Sequence, residues 1–342
     1  MEPKQTTKLF KTFFDPHAAL EYYLNLIYPQ GYLCSAHQRI CTVVSRKDGR
    51  SVFQCAEGRH QISIYKTQLF RGTKLHLNEL LLILLCYYVK LNITQCRFIT
   101  GINRNTIAAF YSIANSALSS YACDNFEPIG GPNRIVQIDE CIFRRRKYKR
   151  GRRKTQIWIF GGVESFPDGH LGRLFVCRVP NRSASVLIPI IQKNIIPGTT
   201  IWSDEWRAYA NLSDFGYVHV AVNHSEHFKD PQTGCCTNGI EGIWKQLRMH
   251  LPSAGIKENQ ILQHLGSFLG RKNMTLTFDQ LLHIVFDYQP EVDDSEADEP
   301  ETEMRNVEIL GDVEEDSAET IDEMLGITDG LEEPEFSLTD EH

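Results

Sequence analysis

Three short apolar stretches, each carrying an acid, constrain this chain more than any other feature. They are Ile135-Val136-Gln137-Ile138-Asp139-Glu140, Thr200-Ile201-Trp202-Ser203-Asp204-Glu205-Trp206 and Asn238-Gly239-Ile240-Glu241-Gly242-Ile243-Trp244. The first two are rich in β-branched and aromatic residues and predict strands, whereas the third predicts the start of a helix. Asp is depleted in strands, and an unpaired buried carboxylate is costly. Three such acids in one domain call for a shared ligand, and a hard divalent cation held by carboxylate oxygens is the natural one. Neighbouring strands lie about 4.8 Å apart, so Asp139 and Asp204 can reach one site and a helix can bring Glu241 opposite. Such a cage suits two Mg²⁺ (or Mn²⁺) ions about 3.5–4 Å apart, the arrangement that cleaves phosphodiesters. Glu140 and Glu205 follow the aspartates directly, and strand alternation points them to the opposite face. Asn238, three residues before Glu241, either caps the helix or orients a phosphate or metal.

The pattern around these acids predicts strands at 134–143, 155–164 and 172–179, a helix at 183–195, strands at 199–204 and 217–222, and a helix at 238–250. That order suits an α/β domain over 132–290, a mixed sheet flanked by helices. Pro167-Asp168-Gly169 marks a hairpin turn, and apolar spacing in 259–290 predicts closing helices. The segment 124–134, with Pro128, Gly130, Gly131 and Pro132, reads as the linker into this domain.

The net charge of −7 averages two opposite regions. Residues 291–342 hold 22 Asp and Glu against one Arg, a balance of −21, while the other 290 residues hold 35 cations against 21 acids, a balance of +14. The tail is nearly free of aromatics, a composition that predicts disorder. A basic body calls for a polyanionic partner. The densest run is Arg144, Arg145, Arg146, Lys147, Tyr148, Lys149, Arg150, Gly151, Arg152, Arg153 and Lys154, with nine cations in 11 residues. It reads as a loop on a phosphate backbone with Tyr148 free to stack, or as a nuclear localisation signal or a solvated loop. The opposed charges suggest that the tail folds back and competes with DNA. Deleting 291–342 is then expected to tighten DNA binding at low salt, with the gain shrinking as salt rises. Titrations of both forms across salt concentrations check this, and equal low-salt affinity would remove the idea.

Upstream, residues 1–33 hold one short amphipathic helix near 18–28. Cys34-x2-His37 and Cys55-x4-His60 then flank a predicted hairpin within 34–72, the layout of a zinc ribbon, with Cys41 as an alternative ligand. Residues 75–123 predict three helices, with Asn78, Thr94 and Asn103 as caps. The last two, joined at Gly101, fit a helix-turn-helix that would face Arg104, Asn105 and Thr106 to a groove, or a small helical bundle. The longest apolar run, Leu80–Val89, has 10 residues, short of the roughly 18 that a membrane span needs. No apolar signal core follows Met1, so secretion is not expected, and ten cysteines then argue for thiols or metal ligands rather than disulfides.

Several motifs together resemble the transposases of the Merlin group and their bacterial insertion-sequence relatives. They are Ile138-Asp139-Glu140, Lys147-Tyr148-x-Arg150-Gly151-Arg152, Trp158-x-Phe160-Gly161-Gly162-Val163-Glu164, Ser203-Asp204-Glu205-Trp206-Arg207-Ala208-Tyr209, Val222-Asn223-His224-Ser225 and Thr237-Asn238-x-Ile240-Glu241-Gly242-x-Trp244. The resemblance covers about residues 34–275. It implies an RNase H-like catalytic domain with Asp139, Asp204 and Glu241 as a metal-binding triad, preceded by a zinc ribbon and a helix-turn-helix that bind terminal inverted repeats. It also implies double-stranded DNA as partner, both element ends and target, and a homo-oligomer in the synaptic complex. His224 is either a contact behind the triad or a surface residue. The chain departs from the family in Cys236, where His is usual before Thr-Asn, in His37 and His60, where Cys is usual, and in its acidic tail. The expected function is cut-and-paste DNA transposition, in the nucleus of a eukaryote or otherwise in the cytoplasm. The alternatives are a domesticated, transposase-derived DNA-binding protein without mobility and a structure-selective nuclease on the same fold.

Overall fold

The computed structural model describes residues 3–65, 70, 73–143, 157–222, 234–251 and 260–289. The basic run 144–154, His224 and the tail 291–342 lie outside the described residues. The chain divides into two compact units. One runs to Phe126 and resumes at His250; the other is Glu127–Met249.

The first unit opens with α1 (Pro3–Phe14) and α2 (Pro16–Ile27), where a single helix was expected. Asp15-Pro16 divides them: the Asp15 carboxylate accepts from the His17 and Ala18 N–H groups, and Pro16 stands at the first helical position. Strands β1 (Thr42–Ser45), β2 (Ser51–Gln54) and β3 (Gln61–Ser63) form an antiparallel sheet in that order. Helix α3 (Leu77–Tyr88) is capped at His76, not Asn78: the Glu79 carboxylate returns to the His76 N–H at 2.8 Å. Helix α4 (Ile93–Thr100) is capped by Asn92, not Thr94, through a reciprocal pair with Gln95 at 2.9 Å each way. Left-handed Gly101 (φ 72°) ends α4, and Asn103 caps α5 (Arg104–Asp124) as expected.

The second unit holds β4 (Ile129–Gly130), β5 (Ile135–Ile142), β6 (Trp158–Ser165), β7 (Leu171–Val179), α6 (Ala184–Asn194), β8 (Ile195–Ile196), β9 (Thr200–Asp204), β10 (Val218–Val222) and α7 (Asn238–His250). Its main sheet has the order β10-β9-β5-β6-β7. Strands β5, β6 and β7 are antiparallel, while β9 and β10 run parallel to β5. Helix α6 makes the crossover from the antiparallel edge to the parallel half, the length a parallel connection needs. The architecture is mixed α/β.

Helices α8 (Gln260–Asn273) and α9 (Phe278–Asp287), expected to close the sheet domain, belong instead to the first unit. Phe278, Leu281, Leu282, Val285 and Phe286 enter the core built by Phe13, Tyr23 and the fully apolar turn Leu80–Leu85. The Tyr23 and Phe286 rings meet edge to face at 5.0 Å. Apolar spacing told that these helices bury one face, but not against which partner. No helix of the described residues is long and apolar enough to cross a membrane.

Candidate catalytic site and metal-binding cluster

The acids are positioned by β5, β9 and α7. In the parallel ladder Gln137 sits opposite Trp202, and each strand reaches its aspartate two residues further on. Gln137 and Asp139 therefore share a face of the sheet, and α7 docks on that face at two points. The Gln137 side-chain oxygen accepts from the Ile240 N–H at 3.1 Å, and the Trp244 indole N–H donates to Asp139 Oδ2 at 2.8 Å. Glu241 lies between these anchors in the first turn of α7 and is exposed.

Two glycines permit this docking. A Cβ at Gly239 would lie 2.6 Å from Gln137 Oε1 and 2.7 Å from Leu171. Gly161, the cross-strand partner of Asp139, leaves room for the Trp244 ring, which a Cβ would meet at 2.8 Å. Gly161 inside a strand, unfavourable by propensity, is thus explained in part by what crosses above it, while a Cβ at Gly162 would meet the Phe175 ring at 2.5 Å.

The electrostatics tie the acids together. Burial pushes the Asp139 carboxyl up from 3.8 to about 6, against the Trp244 hydrogen bond, and the charges of Asp204 and Glu241 both push it further. Glu140, on the opposite face, accepts from the Tyr209 hydroxyl. Burial raises it from 4.5 to about 7; the Tyr209 bond and the Arg182 charge oppose that rise, while Asp139 and Asp204 add to it. Asp204 Oδ1 accepts from the Trp206 N–H at 3.0 Å, which fixes the turn after β9. Behind it the Ser203 hydroxyl meets His219 Nε2 at 2.8 Å. Glu205 is exposed.

A carboxyl with a raised folded pKa binds its proton more tightly in the folded state. Its contribution to stability is present at low pH and is lost as pH rises through the folded value. For Asp139 that window runs from 3.8 to about 6, and for Glu140 from 4.5 to about 7. The metal-free protein is therefore expected to lose thermal stability as pH rises from about 4 to about 7. Mg²⁺ added at the upper end should restore part of it, and Asp139→Asn should flatten both responses. Calorimetric unfolding across pH, with chelator or Mg²⁺, checks this.

The four N-terminal donors converge as expected. Cys34, His37, Cys55 and His60 place one ligand atom each within 4.8 Å of one another. Sulfur–nitrogen separations are 3.6 Å for Cys34–His37, 3.4 Å for Cys34–His60 and 3.4 Å for Cys55–His37. Those are the edges of a tetrahedron about a metal with bonds of roughly 2.3 Å to S and 2.0–2.1 Å to N. Two matching turns present the thiols: Gln38 N–H donates to Cys34 O and Arg59 N–H to Cys55 O, with Gln38 and Arg59 both left-handed. Gly58 is required, since its Cβ would lie 2.4 Å from the His60 ring and 2.7 Å from His37. Backbone N–H groups of Gly58 and then Glu57 lower the Cys55 thiol pKa, favouring the thiolate that binds metal. Cys41 is buried, and the Cys34 and Cys55 sulfurs lie close enough to raise its thiol pKa further.

Among the described residues this is the only group of three or more such donors at that spacing; the three acids are more widely set. A pair of ions about 3.5–4 Å apart, each about 2.0–2.1 Å from its ligands, is held by carboxylates up to about 8 Å apart.

Of the other expected positions, Arg104 and Asn105 are exposed at the start of α5. Asn238 is the first residue of α7 rather than its cap; the Thr237 carbonyl accepts from the Glu241 N–H. Sequence reasoning missed Gln137, Trp244 and Tyr209. A polar Gln between Val136 and Ile138, and a Trp three residues after Glu241 on the same helical face, were the available signals.

Residues 129–254 match the sequence model of the ISXO2-like transposase domain. An uncharacterized transposase-like protein of Haemophilus influenzae is 30% identical over 79 residues, which cover 23% of this chain and 63% of that protein. The chain therefore spans less than two thirds of that relative. One similarity is to a transposase domain and the other to a transposase-like protein, and the matched domain contains Asp139, Asp204 and Glu241.

Proposed function

We propose that this protein is a cut-and-paste DNA transposase whose Asp139, Asp204 and Glu241 hold two divalent cations for phosphodiester hydrolysis and strand transfer. The observation that carries the reading is the docking of α7, which bears Glu241 in its first turn, onto the Asp139 face of β5 through Trp244–Asp139 and Ile240–Gln137. The transposase-domain match supports it. So does the topology, three antiparallel strands, a crossover helix and two strands parallel to the first, an arrangement compatible with the RNase H-like fold that the motif resemblance implies. The narrower kinship with the Merlin group rests on the motifs quoted above.

The donor set fits the ions. Three acids share one field, and burial with like charge drives Asp139 toward its neutral form unless a cation neutralises the set. When bound, two Mg²⁺ or Mn²⁺ ions supply activation of the attacking oxygen and stabilisation of the leaving one. The chain's own residues do the positioning. Trp244 fixes the Asp139 carboxylate, Gln137 fixes the first turn of α7, and the Trp206 N–H orients Asp204. Tyr209 holds Glu140 on the far face. Exposed Arg104 and Asn105 at the head of α5 would read the element ends, with the basic run 144–154 on the phosphate backbone. The Cys34, His37, Cys55 and His60 cluster would hold Zn²⁺ as a structural ion, since all four positions are filled by protein donors.

The reading is tested with the genomic DNA flanking this reading frame. Inverted repeats there, cleaved and joined to target DNA by the purified protein with Mg²⁺, are the expected result. Binding to such ends without metal-dependent cleavage would overturn the enzyme and leave a DNA-binding protein.

A further inference from the structure

Beside the acids stands a cation that the proposed chemistry has not used. The Arg182 guanidinium lies between two indoles, 4.5 Å from the Trp158 ring centroid and 4.3 Å from that of Trp206. Its backbone is fixed as well, because the Trp206 indole N–H donates to the Arg182 carbonyl at 3.0 Å. Trp206 is the residue whose N–H orients Asp204, so the stack and the acid belong to one turn. The Arg182 charge also acts on Glu140, on the opposite face of β5 from Asp139. No described carboxylate forms an ion pair with the guanidinium, and no described acceptor takes its side-chain N–H groups.

A guanidinium sandwiched by rings has both faces covered and its N–H donors directed outward in the plane. That fork matches the oxygens of a phosphate, and a clamped side chain loses little entropy on using it. Rings also exclude water from the faces of the guanidinium, and the lower local dielectric strengthens an ionic hydrogen bond. Trp158 follows the basic run 144–154 by four residues in the sequence.

We propose that Arg182, clamped between Trp158 and Trp206, is a phosphate-binding residue that grips the DNA backbone next to Asp204. The identity of the phosphate as DNA rests on the transposase reading; the phosphate site itself does not. Binding is therefore measured in chelator, with a linear duplex and no cleavage, so that a failure of the metal-dependent chemistry and a failure of this site are separate results. Arg182→Gln, planar and neutral, should bind about tenfold more weakly at low salt. Its plot of log affinity against log salt should be shallower by about 0.9, the loss of one phosphate contact. Arg182→Lys, which keeps the charge, should keep the parental slope. If Arg182→Gln misfolds, Arg182→Ala takes its place. A neutral variant with the parental slope would overturn the site.

Discussion

Asp139→Asn is expected to abolish metal-dependent strand cleavage and joining, by at least about a thousandfold, a loss of about 4 kcal/mol in transition-state stabilisation. Asn is the informative replacement because it keeps the shape and an oxygen for the Trp244 indole, so the docking of α7 persists. Only the charge is removed, and with it a carboxylate that would help to hold the ions. The metal-free fold should not suffer, since the native carboxylate is disfavoured by burial and by its acidic neighbours. Asp204→Ala should have the same catalytic effect, with some local loosening because Oδ1 also holds the Trp206 turn. DNA binding in chelator should stay near the parental level in both. Duplex cleavage and strand joining in Mg²⁺, with binding measured separately, decide the matter. Nuclease activity equal to that of the parent would show that the acids serve the fold and not the reaction.

Why the acids could be found from sequence, while their supports could not, follows from what each signal encodes. Alternating apolar residues fix which residues of β5 and β9 face together, and they place Asp139 and Asp204 on strands before any tertiary information, although Asp139 proves to lie within β5 and only Asp204 ends its strand. Asn238–His250 declares itself by its period, so Glu241 falls in a first turn. The anchoring bonds are different. Gln137 to Ile240 spans 103 residues and Trp244 to Asp139 spans 105, and no local pattern encodes such pairs. The misplaced caps show the limit at short range. His76 and Asn92 cap α3 and α4, yet Asn78 and Thr94, two residues on, carry equally suitable side chains. The division of the first helix at Asp15-Pro16 was legible in principle, since an acid followed by Pro is a start signal. The assignment of α8 and α9 was not, because an amphipathic face does not name its partner.

The ribbon cluster leads to the second large effect. Cys34, Cys41, Phe53 and Cys55 share one core with Phe13, Tyr23 and Leu80–Leu85. The module that carries the Cys/His cluster is therefore not a bead on a linker, and loss of an ion held there should be felt through the first unit. Structural zinc in small finger peptides contributes roughly 10–16 kcal/mol of apparent binding free energy at neutral pH. Cys55→Ser is accordingly expected to remove a bound zinc ion of about one per chain and to lower the unfolding midpoint by more than about 10 °C. It should also weaken binding to element ends. The response of the second unit to Mg²⁺ should persist, because its acids lie on separate strands and helices. His37→Cys, which keeps four donors, should retain the ion, and acidification should release it as the thiolates and imidazoles protonate. Elemental analysis of the purified chain, paired with thermal unfolding of the three forms, is the measurement. A parental protein free of zinc, with a Cys55→Ser midpoint unchanged, would mean that the 3.4–3.6 Å sulfur–nitrogen contacts are ordinary packing among buried thiols and imidazoles.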